Sequence, residues 1–252
     1  MKDLALRKSY WAKVSGGKDS LYMLGVILAN LDKYPLDGVV HYELEIDYPF
    51  IGDVVNHMET VCKMHNIPFI RIKPEKSWEE LYDKYGYPTR KARWCNSAYK
   101  LNAARQLDNF MKSRGYEVIS YIGYCADEEK RYNKRGNITE IYPLAIEGIE
   151  EKTIWEWAKT QEIFNDYYKY NKRCGCMYCP LLSMREYAYI YKKYPYVFYD
   201  IITKMKKTEK ELSEKYGRTF SVIRSNPKYN ADYLEKIIIK KWQFRLNELK
   251  ER

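Results

Sequence analysis

Residues 15–20 read Ser-Gly-Gly-Lys-Asp-Ser, a composition suited to closing backbone around phosphate. Gly16 and Gly17 lack a Cβ, so their N–H groups can come close to a ligand. Ser15 and Ser20 add hydroxyl donors and Lys18 adds a positive charge. Asp19 could hold a Mg²⁺ on the phosphates or cap a helix. A helix starting near Asp19 aims its free N–H groups and positive dipole end into the loop. Together these groups describe a pyrophosphate cradle. The spacing is not that of the Walker-type loop, which places four residues between its glycines before Gly-Lys-Ser/Thr.

Sulfur forms the second reactive set. The six cysteines are Cys62, Cys95, Cys125, Cys174, Cys176 and Cys179. Cys176 and Cys179 have the two-residue gap that lets both sulfurs reach one metal. Cys174 could supply a third thiolate and Cys95, from an expected loop at the sheet's carboxyl edge, a fourth. Four thiolates suit either a 4Fe-4S cluster or a structural Zn²⁺. With Cys174 outside the ligand set, three cysteines would leave an iron open to a sulfide. Cys62 is expected in the core; Cys125 stays open between core and site.

Arg93, Lys100, Arg131, Lys134, Arg135 and Arg173 flank these segments and together make an anion site that can neutralise phosphates. Asp127 and Glu128 could bind Mg²⁺ or act as a base, and Asp127 could equally cap a helix.

The elements that must hold these groups follow from periodicity. A strand at 10–14 precedes the glycine loop and a helix at 20–33 follows it, with Leu21, Leu24, Ile27, Leu28 and Leu31 at helical spacing. Strands are expected at 38–44, 68–72, 117–122 and near 138–142, with helices at 50–66, 97–114 and 151–160. This alternation implies βαβ crossovers: an α/β, doubly wound, mainly parallel sheet with helices on both faces. Ligands then bind beyond the carboxyl ends of the strands, where the loop 15–20 lies. Lys13 is a charge in a strand expected to be buried. From 183 onward the pattern is helical only, at 183–194, 197–216 and 230–250. The expected organisation is a nucleotide-binding α/β domain over 1–182 and a helical C-terminal region over 183–252.

The net charge is +10 and the chain carries 27 tyrosines, which favours an anionic partner such as nucleic acid. Lys204, Lys206, Lys207, Lys240 and Lys241 are candidates for a phosphate-contact surface. No apolar run reaches the roughly 18 residues of a membrane helix, and the first ten residues lack the apolar core of a signal peptide. A cytoplasmic protein without a membrane partner is expected.

Ser15–Ser20 resembles the PP-loop of the ATP pyrophosphatase superfamily. The resemblance implies an adenine nucleotide alpha hydrolase-like fold that binds ATP with Mg²⁺ and cuts it between the α and β phosphates. It also implies adenine near the next strand, where His41 is a candidate contact. Lys91-Ala92-Arg93-Trp94-Cys95, the stretch Gly123 to Arg131, and Arg173-Cys174-Gly175-Cys176-Met177-Tyr178-Cys179-Pro180 resemble the phosphoadenosine phosphosulfate (PAPS) reductase-like branch, over roughly residues 10–195. Glu129 replaces that branch's serine, and Cys125 stands where an arginine is often found. By this resemblance Ser15, Gly16, Gly17, Lys18, Asp19, Ser20, His41, Arg93, Arg131 and Arg173 contact nucleotide. Lys18, Asp19, Asp127 and Glu128 take catalytic roles, and Cys95, Cys174, Cys176 and Cys179 hold a 4Fe-4S cluster, with Zn²⁺ as the alternative.

Three readings follow. A true reductase of adenylyl sulfate or PAPS needs a nucleophilic cysteine near the C-terminus, and no cysteine follows Cys179; the complete glycine loop also speaks against it. An ATP pyrophosphatase coupled to sulfur insertion resembles the DNA phosphorothioation and tRNA thiolation enzymes, in which a target is adenylated and the adenylate displaced by sulfur. A nucleotide-binding module without turnover, acting in a nucleic-acid complex, is the third. Partners left open are tRNA, DNA, a sulfur-donor protein and a second copy of the chain.

Overall fold

The computed structural model describes residues 6–132, 139–223 and 227–242, with only the backbone of residues 227, 241 and 242. Lys134, Arg135 and the side chain of Lys241, three of the candidate cations, lie outside the described residues. So does the end of the helix expected over 230–250.

Five strands form the sheet: β1 (Arg7–Val14), β2 (Gly38–Tyr42), β3 (Phe69–Ile72), β4 (Tyr116–Tyr121) and β5 (Glu140–Ile141). Their order is β3-β2-β1-β4-β5 and every pairing is parallel. The chain therefore winds outward from β1 to β3, then returns to β4 on the other side. That reversal opens a crevice at the carboxyl ends of β1 and β4, the place where such sheets hold ligands.

The helices are α1 (Lys18–Leu28), α2 (Pro49–Met64), α3 (Trp78–Tyr85), α4 (Leu101–Ser113), α5 (Glu129–Tyr132), α6 (Pro143–Ile146), α7 (Glu151–Thr160), α8 (Tyr167–Tyr170), α9 (Met184–Lys193), α10 (Pro195–Tyr216) and α11 (Ala231–Ile237). Alternate β1 residues feed two cores. Ala12 and Val14 pack with Met23 and Ile27 of α1 and Val54 and Met58 of α2. Trp11 packs with Val40, Val118 and Leu107 of α4 on the other face. Both faces are thus covered, as a parallel sheet requires. The Lys13 ammonium escapes burial by pairing with Asp108 of α4 at 3.0 Å.

Local signals set the boundaries. Pro49 opens α2 and Pro195 opens α10, where a missing N–H costs nothing. Ser77 with Glu80 and Ser183 with Glu186 form reciprocal capping boxes that start α3 and α9. Gly217, at φ +62°, ends α10 in the left-handed region. The helix expected over 97–114 is two pieces: a π-helical turn over Cys95–Lys100, then α4. The first helix stops at Leu28 rather than 33, because turns through Asn30 take over the backbone hydrogen bonding. α3, α5, α6 and α8 were not expected; all are short.

The larger core runs without a break from the sheet into Tyr187, Ile190, Phe198, Ile201 and Met205 of α9 and α10. No helix of the described residues is long and apolar enough to cross a membrane.

Candidate nucleotide and thiol site

The glycine loop leaves β1 at Val14 and enters α1 at Lys18. Gly16 has φ +75°, and a Cβ there would lie 2.6 Å from Ile51 Cγ2 and 3.2 Å from Val55 Cγ2. Only glycine fits without moving α2. The Ser20 hydroxyl accepts from Ser15 N at 3.2 Å and donates to Gly17 O at 2.9 Å, so the loop is closed on itself. Gly123 brings the β4 exit against α1: a Cβ there would stand 3.1 Å from Asp19 O.

Lys18 is almost wholly buried, 1% exposed, and its Nζ lies 2.5 Å from Asp19 Oδ1 and 3.9 Å from Glu151 Oε1. Burial raises the Asp19 carboxyl above its ordinary range, against the pull of Lys18; Glu128 and Glu151 reinforce the rise. Arg173 donates to Glu151 at 3.2 Å and reaches Glu128 at 3.5 Å, and Arg131 pairs with Glu128. The fold therefore brings Lys18, Asp19, Glu128, Arg131 and Arg173 into one alternating charge network with Glu151. Asp127 accepts from Glu151 N at 3.0 Å and so caps the first turn of α7. The buried Cys125 Sγ is 3.8 Å from Asp19 Oδ1, and burial pushes its thiol up.

His41 of β2 pairs in register with Val14, one residue before the loop, with Nδ1 3.0 Å from Val14 O, and burial lowers its pKa. Arg93 is exposed next to Cys95 rather than at the loop.

The thiols divide into two places. Cys176 and Cys179 hydrogen-bond each other, which raises the first thiol and brings the second down to about 6. The charge of Cys179 is felt by the buried Cys95. The π-helical turn sets Cys95 at one end and Lys100 at the other; the Cys176 sulfur holds the Lys100 ammonium above its ordinary range, against burial. Cys174 instead faces the glycine loop. A cavity of about 200 Å³ is lined by Ser15 and Gly17, by Asp47 and Lys100, and by Cys174. The Met177 N–H donates to Ile46 O at 2.8 Å, which pins the cysteine segment to the loop after β2.

Whether the thiols suit a metal group can be judged from their surroundings. The Tyr87 and Tyr187 hydroxyls are buried without a hydrogen-bond partner among the described residues, and both feel Cys176 and Cys179. Orphaned donors beside sulfur fit a site that completes its bonding when an anionic sulfur group is present. As they stand, the described residues contain no group of three or more Cys, His, Asp or Glu drawn together on one metal position.

Three participants escaped sequence reasoning. Asp47 faces the cavity from the loop after β2, and burial pushes its carboxyl up to about 6. Glu151 joins the charge network from α7. Tyr168 Oη accepts the Lys18 N–H at 3.0 Å, occupying a first-turn amide that a phosphate would otherwise take. None lies in a recognisable local motif; Glu151 at the start of a helix was the one legible signal.

The fold and site thus define a doubly wound α/β protein with a glycine loop at the strand-order reversal and a thiol-lined cavity beside it. No protein-family model matches the chain. It is 29% identical over 201 residues to uncharacterized protein MJ0066 of Methanocaldococcus jannaschii, covering 75% of this chain and 40% of that one. It is 28% identical over 211 residues to uncharacterized protein MJ0973 of the same organism, covering 78% and 46%. The chain spans less than half the length of these relatives. Among solved structures it is similar to the U34-tRNA thiolase NcsA from Methanococcus maripaludis with its 4Fe-4S cluster, with TM-score 0.43 and 15% identity over 94% of this chain and 83% of that one. It is also similar to the PAPS reductase from Candida auris in its phosphate complex, with TM-score 0.38 and 16% identity over 67% and 81%.

Proposed function

We propose that the chain binds ATP with Mg²⁺ at Ser15–Ser20, splits it to AMP and pyrophosphate, and uses the adenylate to activate an acceptor for sulfur transfer. The observation that carries this reading is the shared cavity: Ser15, Gly17, Lys100 and Cys174 line one space. A phosphate loop and a thiol on the same cavity support nucleotide chemistry and sulfur chemistry on one substrate.

In the first step an acceptor oxygen attacks the α-phosphorus. A new P–O bond forms, the α–β bond breaks, and pyrophosphate leaves toward Lys18 and the first amides of α1. Lys18 and these N–H groups stabilise the leaving charge. The Lys18 N–H must exchange its Tyr168 hydroxyl for a phosphate oxygen, so Tyr168 moves or accepts a new geometry when nucleotide binds. Asp19, its affinity for protons raised by burial, is the carboxylate closest to Lys18 and the candidate Mg²⁺ ligand. In the second step a sulfide-class nucleophile attacks the activated atom; the bond to sulfur forms, the bond to the adenylate oxygen breaks, and AMP leaves. Asp47, on the cavity between the loop and the cysteines, is placed to move the protons of these steps, beside the fixed positive charge of Lys100.

Cys95, Cys176 and Cys179 would hold an iron–sulfur cluster, with the Tyr87 and Tyr187 hydroxyls as donors to its sulfurs. Such a cluster would supply an iron position able to bind the sulfur to be transferred. Cys174, on the loop side, is left as a thiol facing the nucleotide. Full-length protein purified without oxygen tests this: iron and acid-labile sulfide are expected together, retained in Cys174→Ser and lost in Cys176→Ser. Zinc at full occupancy in place of iron would contradict the cluster, and loss of iron in Cys174→Ser would contradict the division of the thiols.

A further inference from the structure

The lysines of the C-terminal helices, the sequence's candidates for phosphate contact, are largely engaged. Lys204 pairs with Asp200 at 3.0 Å and Glu79 at 3.1 Å. Lys206 pairs with Asp232 at 2.9 Å and Glu235 at 2.7 Å. Lys207 lies over the Tyr82 ring. A phosphate strand binding there would have to break those pairs.

A different surface has the composition that those helices lack. A cleft of about 990 Å³ lies between the stretch after α3 and the end of α10 with the segment beyond it. Its basic walls include Arg90, Lys91 and Arg218, and none of the described lining residues is acidic. Arg90 and Lys91 are exposed and form no ion pair among the described residues. Four aromatic rings share the walls: Tyr85, Trp94, Phe220 and the buried Tyr87. Tyr85 is 48% exposed and its ring centroid is 6.0 Å from that of Trp94. Arg218 lies 4.9 Å over the Phe220 ring. Rings interleaved with cations such as the unpaired Arg90 and Lys91, with no carboxylate among the described lining residues, are the composition that binds unpaired nucleotides by stacking and charge. A duplex would offer its phosphates but keep its bases from the rings. The exposed Thr219 on the wall offers a hydroxyl to a ribose 2′-hydroxyl, which DNA lacks.

We propose that this cleft binds single-stranded RNA. Trp94 on its wall directly precedes Cys95, so a strand in the cleft runs past the cysteine site. That the bound strand is also the sulfur acceptor rests on the proposed function; that it binds does not.

The test is fluorescence anisotropy with a labelled 12-nucleotide single-stranded RNA, the same RNA as a duplex, and DNA of the same sequence, with full-length protein and no ATP. Single-stranded RNA is expected to bind tightest. Its affinity should fall with salt, and Arg90→Ala/Lys91→Ala should flatten the log–log slope by about 1.4, two phosphates at roughly 0.7 each. Tyr85→Ala should weaken binding about 5- to 150-fold with the slope unchanged. Lys204→Ala and Lys206→Ala should leave it unchanged. Tyr85, Arg90 and Lys91 are exposed, and circular dichroism checks folding of every variant. Equal affinity for the duplex, equal affinity for DNA, or indifference to both cleft variants would each overturn the proposal. These results are read without ATP, so failure to split ATP cannot produce them.

Discussion

Replacing Gly16 with alanine tests how the loop is built. Its φ of +75° costs a residue with a Cβ about 1–2 kcal/mol. The new methyl group would also sit 2.6 Å from Ile51 Cγ2, an overlap that forces α2 outward at roughly 1–3 kcal/mol. The sum is a loss of about 2–5 kcal/mol, large against the total stability of a domain. Urea unfolding followed by far-ultraviolet circular dichroism reads it directly. A cycle separates the two parts. Ile51→Ala alone costs about 2–5 kcal/mol as a core truncation, but it removes the atom that the new methyl group would strike. The double variant should therefore be more stable than the two single losses imply, by about 1–3 kcal/mol, while the backbone strain remains. Strict additivity, or a Gly16→Ala loss under about 0.5 kcal/mol, would refute this account of the loop.

Lys18→Ala removes the buried cation proposed to face the leaving group and should slow pyrophosphate release by roughly 10²–10³, as for a lost oxyanion donor; a rate equal to the parent's would dismiss the assignment. Asp47→Asn should change the pH dependence of stability. The folded carboxyl has a pKa of about 6 against an ordinary value of 3.8, so the folded state holds the proton more tightly and the parent loses stability as pH rises from about 4 to 6. The difference, at most about 3 kcal/mol, should be absent in the variant, and parallel curves would count against it. Glu209 accepts from Val222 N at 3.0 Å and Ala231 N at 3.1 Å, tying the cleft's wall to α10. Glu209→Ala leaves both donors unsatisfied at about 1–3 kcal/mol each. Hydrogen exchange should quicken at Val222 and Ala231, and unchanged protection there would sink the assignment.

The sheet was legible because parallel strands and their covering helices write themselves as apolar runs alternating with a 3.6-residue period. The turn at Ser15–Ser20 from β1 into α1 was legible because a glycine pair between an apolar strand and a helical period marks a tight turn. Other features arise only from long-range packing. Tyr168 meets Lys18 across 150 residues, and Asp47 gains its raised pKa from burial rather than from any neighbour in sequence. The engagement of Lys204 with Glu79 likewise could not be seen in a run of lysines. Short helices such as α3 were missed although the Ser77–Glu80 capping box marked one. The π-helical turn that aligns Cys95 with Lys100 has no sequence pattern that separates it from an ordinary helix start.

The glycine loop is proposed to split ATP between its α and β phosphates. Phosphorus NMR of anaerobically purified full-length protein with ATP, Mg²⁺ and single-stranded RNA decides it. The account predicts AMP and pyrophosphate in equal amounts, dependent on Lys18. ADP with inorganic phosphate, or ATP left intact under all these conditions, would contradict it.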